Sequence, residues 1–337
     1  MRYVVVGGGA IGGTVAAYLA RAGQSLLVVD RDVDHVTAIQ QRGLTIRGFD
    51  ETFTAPLDAV TSDDLPQRID AVLLAVKAPA TEAAVRSFVN RLAPDGYIVS
   101  LQNGLNELLI AQLAGAERTI GAFVNFSADY LEPGLIHFAG RGAFVIGELD
   151  GSLSPRLYKL QRVLGAWGEV QVTHNIWGYL WGKQAYGAML FATALTNDSM
   201  ADAIDGHRAV MVDLANEVLT VAHAAGISPL GFDGFEPDVI RSRDVAAIQA
   251  SLDRLIAIRH TDQKTHSGVW RDLAIRKRPT EVDAHFVPIV EEAERRGLAV
   301  PRLRRLIELI HEIESGRRDF DPRNLDLLAP AQPGVLT

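Results

Sequence analysis

The hydrophobic and polar positions of the chain fall into two textures. Residues 2–6 (RYVVV), 25–30 (SLLVVD), 70–76 (DAVLLAV) and 96–101 (GYIVSL) are short, nearly continuous apolar runs. That is the pattern of parallel strands covered on both faces. Residues 14–21 (TVAAYLAR) read as a helix that stops near Gly23, and residues 33–42 and the stretch from about residue 80 read as further helices. Short strands are expected at 43–47 and 51–55, with a small antiparallel addition made by 135–138 and 143–146. Strands alternating with helices predict a doubly wound, mostly parallel sheet.

After about residue 174 no convincing strand pattern appears. Residues 177–196, 209–225, 245–258, 281–296 and 301–314 all suit helices. The expected organisation is an α/β domain over residues 1–174, an all-α domain over 175–316 and an irregular tail over 317–337 that contains Pro322, Pro330 and Pro333. Internal repeats and low-complexity segments are absent.

The first strand runs directly into Gly7-x-Gly9-x-x-Gly12, which opens the first helix. One glycine makes the tight turn, one lets the backbone approach a pyrophosphate, and the third lets helix and strand pack closely. The amides of Ala10 and Ile11 lie at the helix N-terminus, where the dipole favours a phosphate. Such a strand, turn and helix is a Rossmann-type dinucleotide site, so the first domain is expected to bind NAD or NADP. Asp30 ends the second strand, where a carboxylate hydrogen-bonds the adenosine ribose and repels a 2′-phosphate. Arg31 follows and can hold that phosphate or stack on adenine. The balance leans slightly to NAD.

Two further polar residues stand at the carboxyl ends of apolar strands, where open α/β sheets bind ligands: Lys77 and Asn103. The plainer reading of Asn103, before Gly104, is a turn or helix cap.

Composition narrows the partners. The 337 residues are 48% hydrophobic and 22% charged with a net charge of −8, which fits a globular protein and argues against a nucleic-acid partner. The one basic run, residues 271–278, is short. There are no cysteines, so disulfides, iron–sulfur clusters and thiolate metal sites are excluded, and no metal site is expected. No apolar run is long enough to span a bilayer, and the glycine motif reads residues 1–13 better than a signal peptide does, so a cytoplasmic enzyme is expected.

Several segments in order resemble the ketopantoate reductase (2-dehydropantoate 2-reductase) family: VVVGGGAIGG at the start, AVKA around Lys77, LQNG around Asn103, GLIHFAG at 134–140, LWGK at 180–183, RPTEVD at 278–283 and GLAVP at 297–301. The resemblance runs to about Glu314. It implies a Rossmann domain joined to a helical domain, reduction of a 2-keto acid by NADPH, and a place in pantothenate biosynthesis. It also implies that Lys183 is the general acid, that Lys77 and Asn103 lie near nicotinamide and substrate, and that Glu281 belongs to the site. The chemistry agrees: hydride delivery to a ketone needs a proton donor at oxygen, and a lysine shielded by Trp177, Trp181 and Tyr186 can serve. The plainer readings are a snorkelling lysine for Lys183 and a helix start for Thr280-Glu281.

The chain departs from the family pattern where substrate would be held. Four and eight residues after the lysine the family places asparagines, and here stand Gly187 and Phe191. At His266-Ser267-Gly268 only Ser267 remains of two serines, and His266 is either a replacement polar contact or a packing residue. The segment from Asp272 to Glu281 is also about one residue longer than the family form. Loss of amide donors relaxes a site built to hydrogen-bond its substrate, so the expected substrate is a keto acid with a more apolar body, bound by Asn103, Ser267, Gly187 and Phe191. The rivals are a β-hydroxyacid dehydrogenase type oxidoreductase and a non-catalytic dinucleotide-binding redox sensor. Helical second domains of this kind often dimerise, so a homodimer is a candidate assembly.

Overall fold

In the computed structural model, which describes residues 1–242, 244–261 and 264–329, the chain divides into two compact units, Met1–Ile176 and Trp177–Thr337. The first is built on two sheets. Its strands are β1 (Tyr3–Val6), β2 (Leu26–Val29), β3 (Leu44–Gly48), β4 (Thr52–Ala55), β5 (Asp58–Val60), β6 (Ile69–Leu74), β7 (Leu92–Ser100), β8 (Thr119–Val124), β9 (Ser127–Glu132), β10 (Leu135–Gly140), β11 (Phe144–Glu148) and β12 (Gln171–Val172). The main sheet has the order β12-β11-β8-β7-β6-β1-β2-β5, and the second β4-β3-β10-β9. From β5 through β8 every pairing in the main sheet is parallel, and β11 then adds antiparallel to β8.

The continuous apolar character of these strands has a direct cause. Val5, Val28 and Leu73 face one buried cluster, shared with Val15 and Leu19 of α1 (Ala10–Arg21). Their neighbours Val4, Val29 and Leu74 face another, shared with Val85 and Phe88 of α3 (Thr81–Phe88) and Ile110 of α4 (Asn106–Ala114). Alternate side chains point to opposite faces, so a sheet covered on both must be apolar at every position. Between them in sequence, α2 (Val33–Arg42) begins at Asp32, whose carboxylate caps it by accepting from the amides of Asp34 and His35. Residues 155–164 form α5 (Pro155–Leu164), which buries Leu157, Leu160 and Leu164 in the first cluster.

Residues 135–138 and 143–146 each enter an antiparallel pairing as expected, but in different sheets. β10 lies in the second sheet, parallel to β3 and antiparallel to β9, whereas β11 extends the main sheet beside β8. The partner of β11, β8, is buried throughout, whereas β3 and β9 beside β10 are only partly buried, and the Arg141-Gly142-Ala143 link crosses from one sheet to the other instead of closing a hairpin.

The second unit is helical. After α6 (Ile176–Thr193), which begins at the last residue of the first unit, come α7 (Met200–Gly206), α8 (Arg208–Ala224), α9 (Pro237–Arg241), α10 (Val245–Thr261), α11 (Gly268–Trp270), α12 (Val282–Arg295), α13 (Pro301–Glu314) and α14 (Arg323–Asp326). Glu217 of α8 caps α13 by accepting from the amides of Arg302 (3.1 Å) and Leu303 (2.9 Å). Burial nonetheless pushes its carboxyl above the usual range.

The stretch expected to be irregular contains α14. Asn324 is buried and donates to the carbonyls of Leu195 and Asp319, each at 2.9 Å, while Leu325 and Leu328 are buried. A short apolar anchor therefore orders a segment whose prolines suggested none. Residues 330–337, with Pro330 and Pro333, lie outside the described residues.

Candidate active site

The glycine turn follows the hydrogen-bond ladder out of β1: the Gly7 amide donates to Val29 O at 2.8 Å, and the Ala75 amide donates to Val6 O at 2.8 Å. Gly7 has φ +98°, and a Cβ there would fall 2.7 Å from the Val76 nitrogen. Gly12 is more constrained still, since its Cβ would sit 2.1 Å from Gly7 O and 3.1 Å from Val5. These two glycines let α1 start directly on the end of β1. Gly9 differs, because its Cβ would meet nothing within 4 Å. The space before the helix is open, and only a residue without a side chain leaves it so.

Gly9 also occupies the N-cap of α1, where most helices place a hydrogen-bonding side chain. The first intrahelical amide bond is Gly13 N to Gly9 O (2.7 Å). The amides of Ala10, Ile11 and Gly12 thus have no acceptor within the helix, and the space beside Gly9 at its start is open. This cradle fits the pyrophosphate of a dinucleotide.

Asp30 follows β2 and accepts through Oδ2 from the Gly8 amide (2.6 Å) and through Oδ1 from the Asp32 amide (3.0 Å). Its carboxylate thus braces the glycine turn, and each oxygen keeps a further lone pair for a ribose hydroxyl. Arg31 is exposed. The surroundings are acidic: the Tyr130 hydroxyl donates to Asp32 Oδ2 (3.3 Å), and burial together with the carboxylates of Asp32, Asp30 and Asp34 pushes its pKa up to about 12.

Lys77 and Asn103 are exposed on the loops after β6 and β7, neighbours in the sheet. A buried network that the sequence pattern did not single out fixes both loops. Gln102 donates to Val76 O (2.8 Å) and to the Thr81 hydroxyl (2.7 Å), Thr81 donates to Asn106 Oδ1 (3.3 Å), and Asn106 donates to Asn103 O (2.6 Å). The signal available was Gln102 within LQNG, a polar residue continuing an apolar strand.

In the second unit, Lys183 lies mid-way along α6. Most of that helix is buried, and beyond Trp177 in its first turn the partly open positions, Tyr179, Lys183, Gly187 and Leu190, recur at helical spacing as one stripe. Gly182 sets the neighbouring face: its Cβ would lie 2.2 Å from Leu230 O, and Leu230 N donates to Gly178 O (2.8 Å). Gly187 follows Lys183 by one turn, and a Cβ there would meet nothing within 4 Å. Phe191 is not on the open stripe. It is buried, with ring centroids 4.9 Å from Phe286 and 5.0 Å from His285, and His285 pairs with Gln184 (2.9 Å). Its ring packs against α12.

Glu281 is half-buried at the N-cap of α12, its carbonyl accepting from His285 N at 3.0 Å. The adjacent Thr280 donates through both its amide (2.6 Å) and its hydroxyl (2.7 Å) to Glu314. Ser267 is buried, and its hydroxyl caps α11 by accepting from Trp270 N (3.2 Å). His266 stacks on Trp270 with centroids 4.0 Å apart, and its ring nitrogens meet Thr265 (2.9 Å) and Asn197 O (3.1 Å). Gly268 is exposed, with open space at its Cβ. Residues Arg271–Ile275 form a π-helical turn, the way a helix takes up one additional residue. The basic run is engaged locally, with Arg276 (2.7 Å) and Arg278 (2.9 Å) both paired to Asp272.

Among the described residues no group of His, Asp or Glu could hold a metal ion, and no helix is long and apolar enough to cross a membrane.

Comparison with known proteins agrees with this geometry. The family model for ketopantoate reductase PanE/ApbA matches residues 3–151, and that for its C-terminal domain matches residues 173–314. A 2-dehydropantoate 2-reductase of Halobacterium salinarum is 29% identical over 92% of this chain and 98% of its own length. The Pyrococcus horikoshii enzyme of the same name is 26% identical over 89% and 93%. Among solved structures, a PanE/ApbA family ketopantoate reductase from Ralstonia eutropha superposes with a TM-score of 0.78 at 26% identity, covering 94% of this chain and 99% of the other. D-mandelate dehydrogenase bound to NADH and anilino(oxo)acetate shares the fold, with a TM-score of 0.80 at 22% identity over 94% and 99%. With both of its domain models matched in order along nearly the whole chain, this protein belongs to the ketopantoate reductase PanE/ApbA family of dinucleotide-dependent oxidoreductases.

Proposed function

We propose that this chain reduces a 2-keto acid whose body is larger and more apolar than that of ketopantoate, and that it prefers NADH to NADPH. Family membership supports keto-acid reduction with a nicotinamide dinucleotide. That cofactor, when bound, supplies the hydride. The chain's residues do the rest. The open cradle at Gly9 and the amides of Ala10, Ile11 and Gly12 hold the pyrophosphate. Asp30 takes the ribose hydroxyls. Lys77 and Asn103 place the nicotinamide and substrate end. Lys183 gives its proton to the carbonyl oxygen as negative charge develops there, and Glu281 and Ser267 orient the acid.

The observation that carries the altered substrate is Gly187. It stands one turn from Lys183 on the same open stripe, and the volume its side chain would fill is empty. A family asparagine there would present an amide to a substrate hydroxyl, whereas glycine leaves unfilled space. Unfilled space without a donor favours an apolar substituent over a hydroxylated one. The NADH preference rests on charge: Asp30, Asp32 and Asp34 cluster after β2, and a 2′-phosphate brought there meets three carboxylates against the single Arg31.

The test is steady-state kinetics of the purified protein on a panel of aliphatic, aromatic and hydroxylated 2-keto acids with each cofactor. The reading expects the highest kcat/KM for an apolar branched or aromatic keto acid with NADH. Ketopantoate turnover far above every other substrate would overturn it.

A further inference from the structure

His35 is a buried polar residue that the reaction as described does not use. It lies on the inward face of α2 beside Val36 and Ile39, and it is 1% exposed. Its two ring nitrogens make two different hydrogen bonds. Gly134 N approaches Nδ1 at 3.0 Å, and Gly8 O lies 2.8 Å from Nε2. A backbone amide can only donate and a carbonyl can only accept, so Nδ1 carries no proton and Nε2 carries one. The ring is therefore neutral and its tautomer is fixed by its partners.

The two partners belong to different parts of the unit. Gly8 is the middle of the glycine turn, and its peptide groups are gripped from both sides: its N–H by Asp30 Oδ2 at 2.6 Å, its C=O by His35. Gly134, at φ +78°, is the second residue of the two-residue turn between β9 and β10. The same helix holds that turn a second time, through Arg42, which donates to Pro133 O at 2.6 Å. The second sheet also meets the glycine helix directly, since a Cβ on Gly13 would fall 2.4 Å from Ile136 of β10.

We infer that His35 is a positioning residue for the cofactor, tying the phosphate-binding turn at Gly8 to the β9–β10 turn at Gly134. The second sheet then serves as a buttress: it holds α2 in place, and α2 holds the Gly8 carbonyl so that the amides beyond it keep their aim at the pyrophosphate. His35 does not touch the reacting atoms. Its effect is on cofactor affinity and not on the chemical step.

Two substitutions separate the two bonds. In His35→Gln the side-chain amide reaches the place of Nε2 and keeps the donor to Gly8 O. In His35→Asn the side-chain oxygen reaches the place of Nδ1, keeps the acceptor for Gly134 N and abandons Gly8. Dissociation constants for NADH, NADPH and ADP-ribose are measured by fluorescence titration well below the melting temperature, alongside kcat at saturating cofactor. The expected result is about tenfold weaker binding of NADH and ADP-ribose to His35→Asn, from loss of one buried bond. His35→Gln stays within about twofold of wild type, and both variants keep kcat and the keto-acid KM within about twofold. A merely structural histidine would lower the melting temperature of both variants without separating their affinities. Wild-type affinity in His35→Asn, or equal losses in the two variants, would overturn the inference. A wild-type protein that bound none of the three nucleotides would overturn it together with the cofactor assignment.

Discussion

A methyl group on Gly12 would lie 2.1 Å from the carbonyl oxygen of Gly7, whereas one on Gly9 would meet no atom within 4 Å. The first glycine is thus required by the protein's own packing, while the second leaves open the space proposed for the pyrophosphate. Gly12→Ala is expected to lower the melting temperature and abolish cofactor binding together. Gly9→Ala is expected to leave the melting temperature within about 2 °C of wild type, since Cβ has room, while weakening NADH binding at least roughly tenfold. Thermal unfolding and nucleotide titration of the two variants make the comparison, and equal destabilisation of both would contradict it.

Replacing Lys183 removes the proposed proton donor and nothing that holds the cofactor. Lys183→Ala is expected to lower kcat by roughly 10²- to 10⁴-fold while the NADH dissociation constant stays within about twofold. Lys183→Arg is expected to recover little, because a guanidinium does not release its proton near neutral pH. Unchanged turnover in Lys183→Ala would remove this residue from the chemistry.

Gly187→Asn restores an amide at the empty position beside Lys183. The backbone accepts it without collision, and a glycine inside a helix is unfavourable, so the melting temperature is expected to hold or rise slightly. Specificity is expected to move by about tenfold toward hydroxylated keto acids and away from bulky apolar ones. The ratio of kcat/KM values for one substrate of each kind reads the shift, and an unchanged ratio would mean that the space at Gly187 does not meet substrate.

Tyr130 gives a prediction in pH. Burial and the carboxylates of Asp32, Asp30 and Asp34 raise its phenol from the ordinary value of 10.0 to about 12 in the folded protein. Between those values the unfolded chain has released the proton and the folded chain has not, so folding loses stability as pH rises. The contribution is fully present below pH 10.0 and is lost as pH climbs through about 12. Tyr130→Phe cannot lose it. The difference in melting temperature between wild type and Tyr130→Phe should therefore narrow or invert across that alkaline window, and a constant difference would count against the assignment.

Much of this architecture was legible in the chain because parallel strands and amphipathic helices declare themselves locally. The bounds of α2 and α13 coincide with their apolar periodicity, and β1, β2, β6 and β7 are the four most continuous apolar runs. The start of α1 was read four residues late, because Gly12 and Gly13 weaken helix propensity at the place where close packing demands them. β8 escaped notice although all six of its residues are buried, since TIGAFV carries a glycine and an alanine that dilute the strand signal. The pairing of β10 with β3 could not be read at all, because it joins residues about ninety apart and depends on tertiary context.

The site divides the same way. The glycines, Asp30, Lys77 and Asn103 sit at the ends of strands, where position alone suggests a role. Gln102, Thr81, Asn106 and His35 act through hydrogen bonds between segments, and no spacing rule exposes such partners. The one hint for His35 was a polar residue on the apolar stripe of α2, alongside Val36 and Ile39.

The second sheet has a consequence for how the protein is made. Its four strands come from two separated stretches, β3 and β4 before residue 56 and β9 and β10 after residue 126. A nascent chain leaving the ribosome exposes the whole glycine motif, Asp30 and His35 long before Gly134 has been synthesised. Until that amide arrives, Nδ1 of His35 lacks its donor and the turn at Gly8 lacks its tie to the second sheet. The strands of the glycine motif therefore emerge well ahead of the second sheet that backs them.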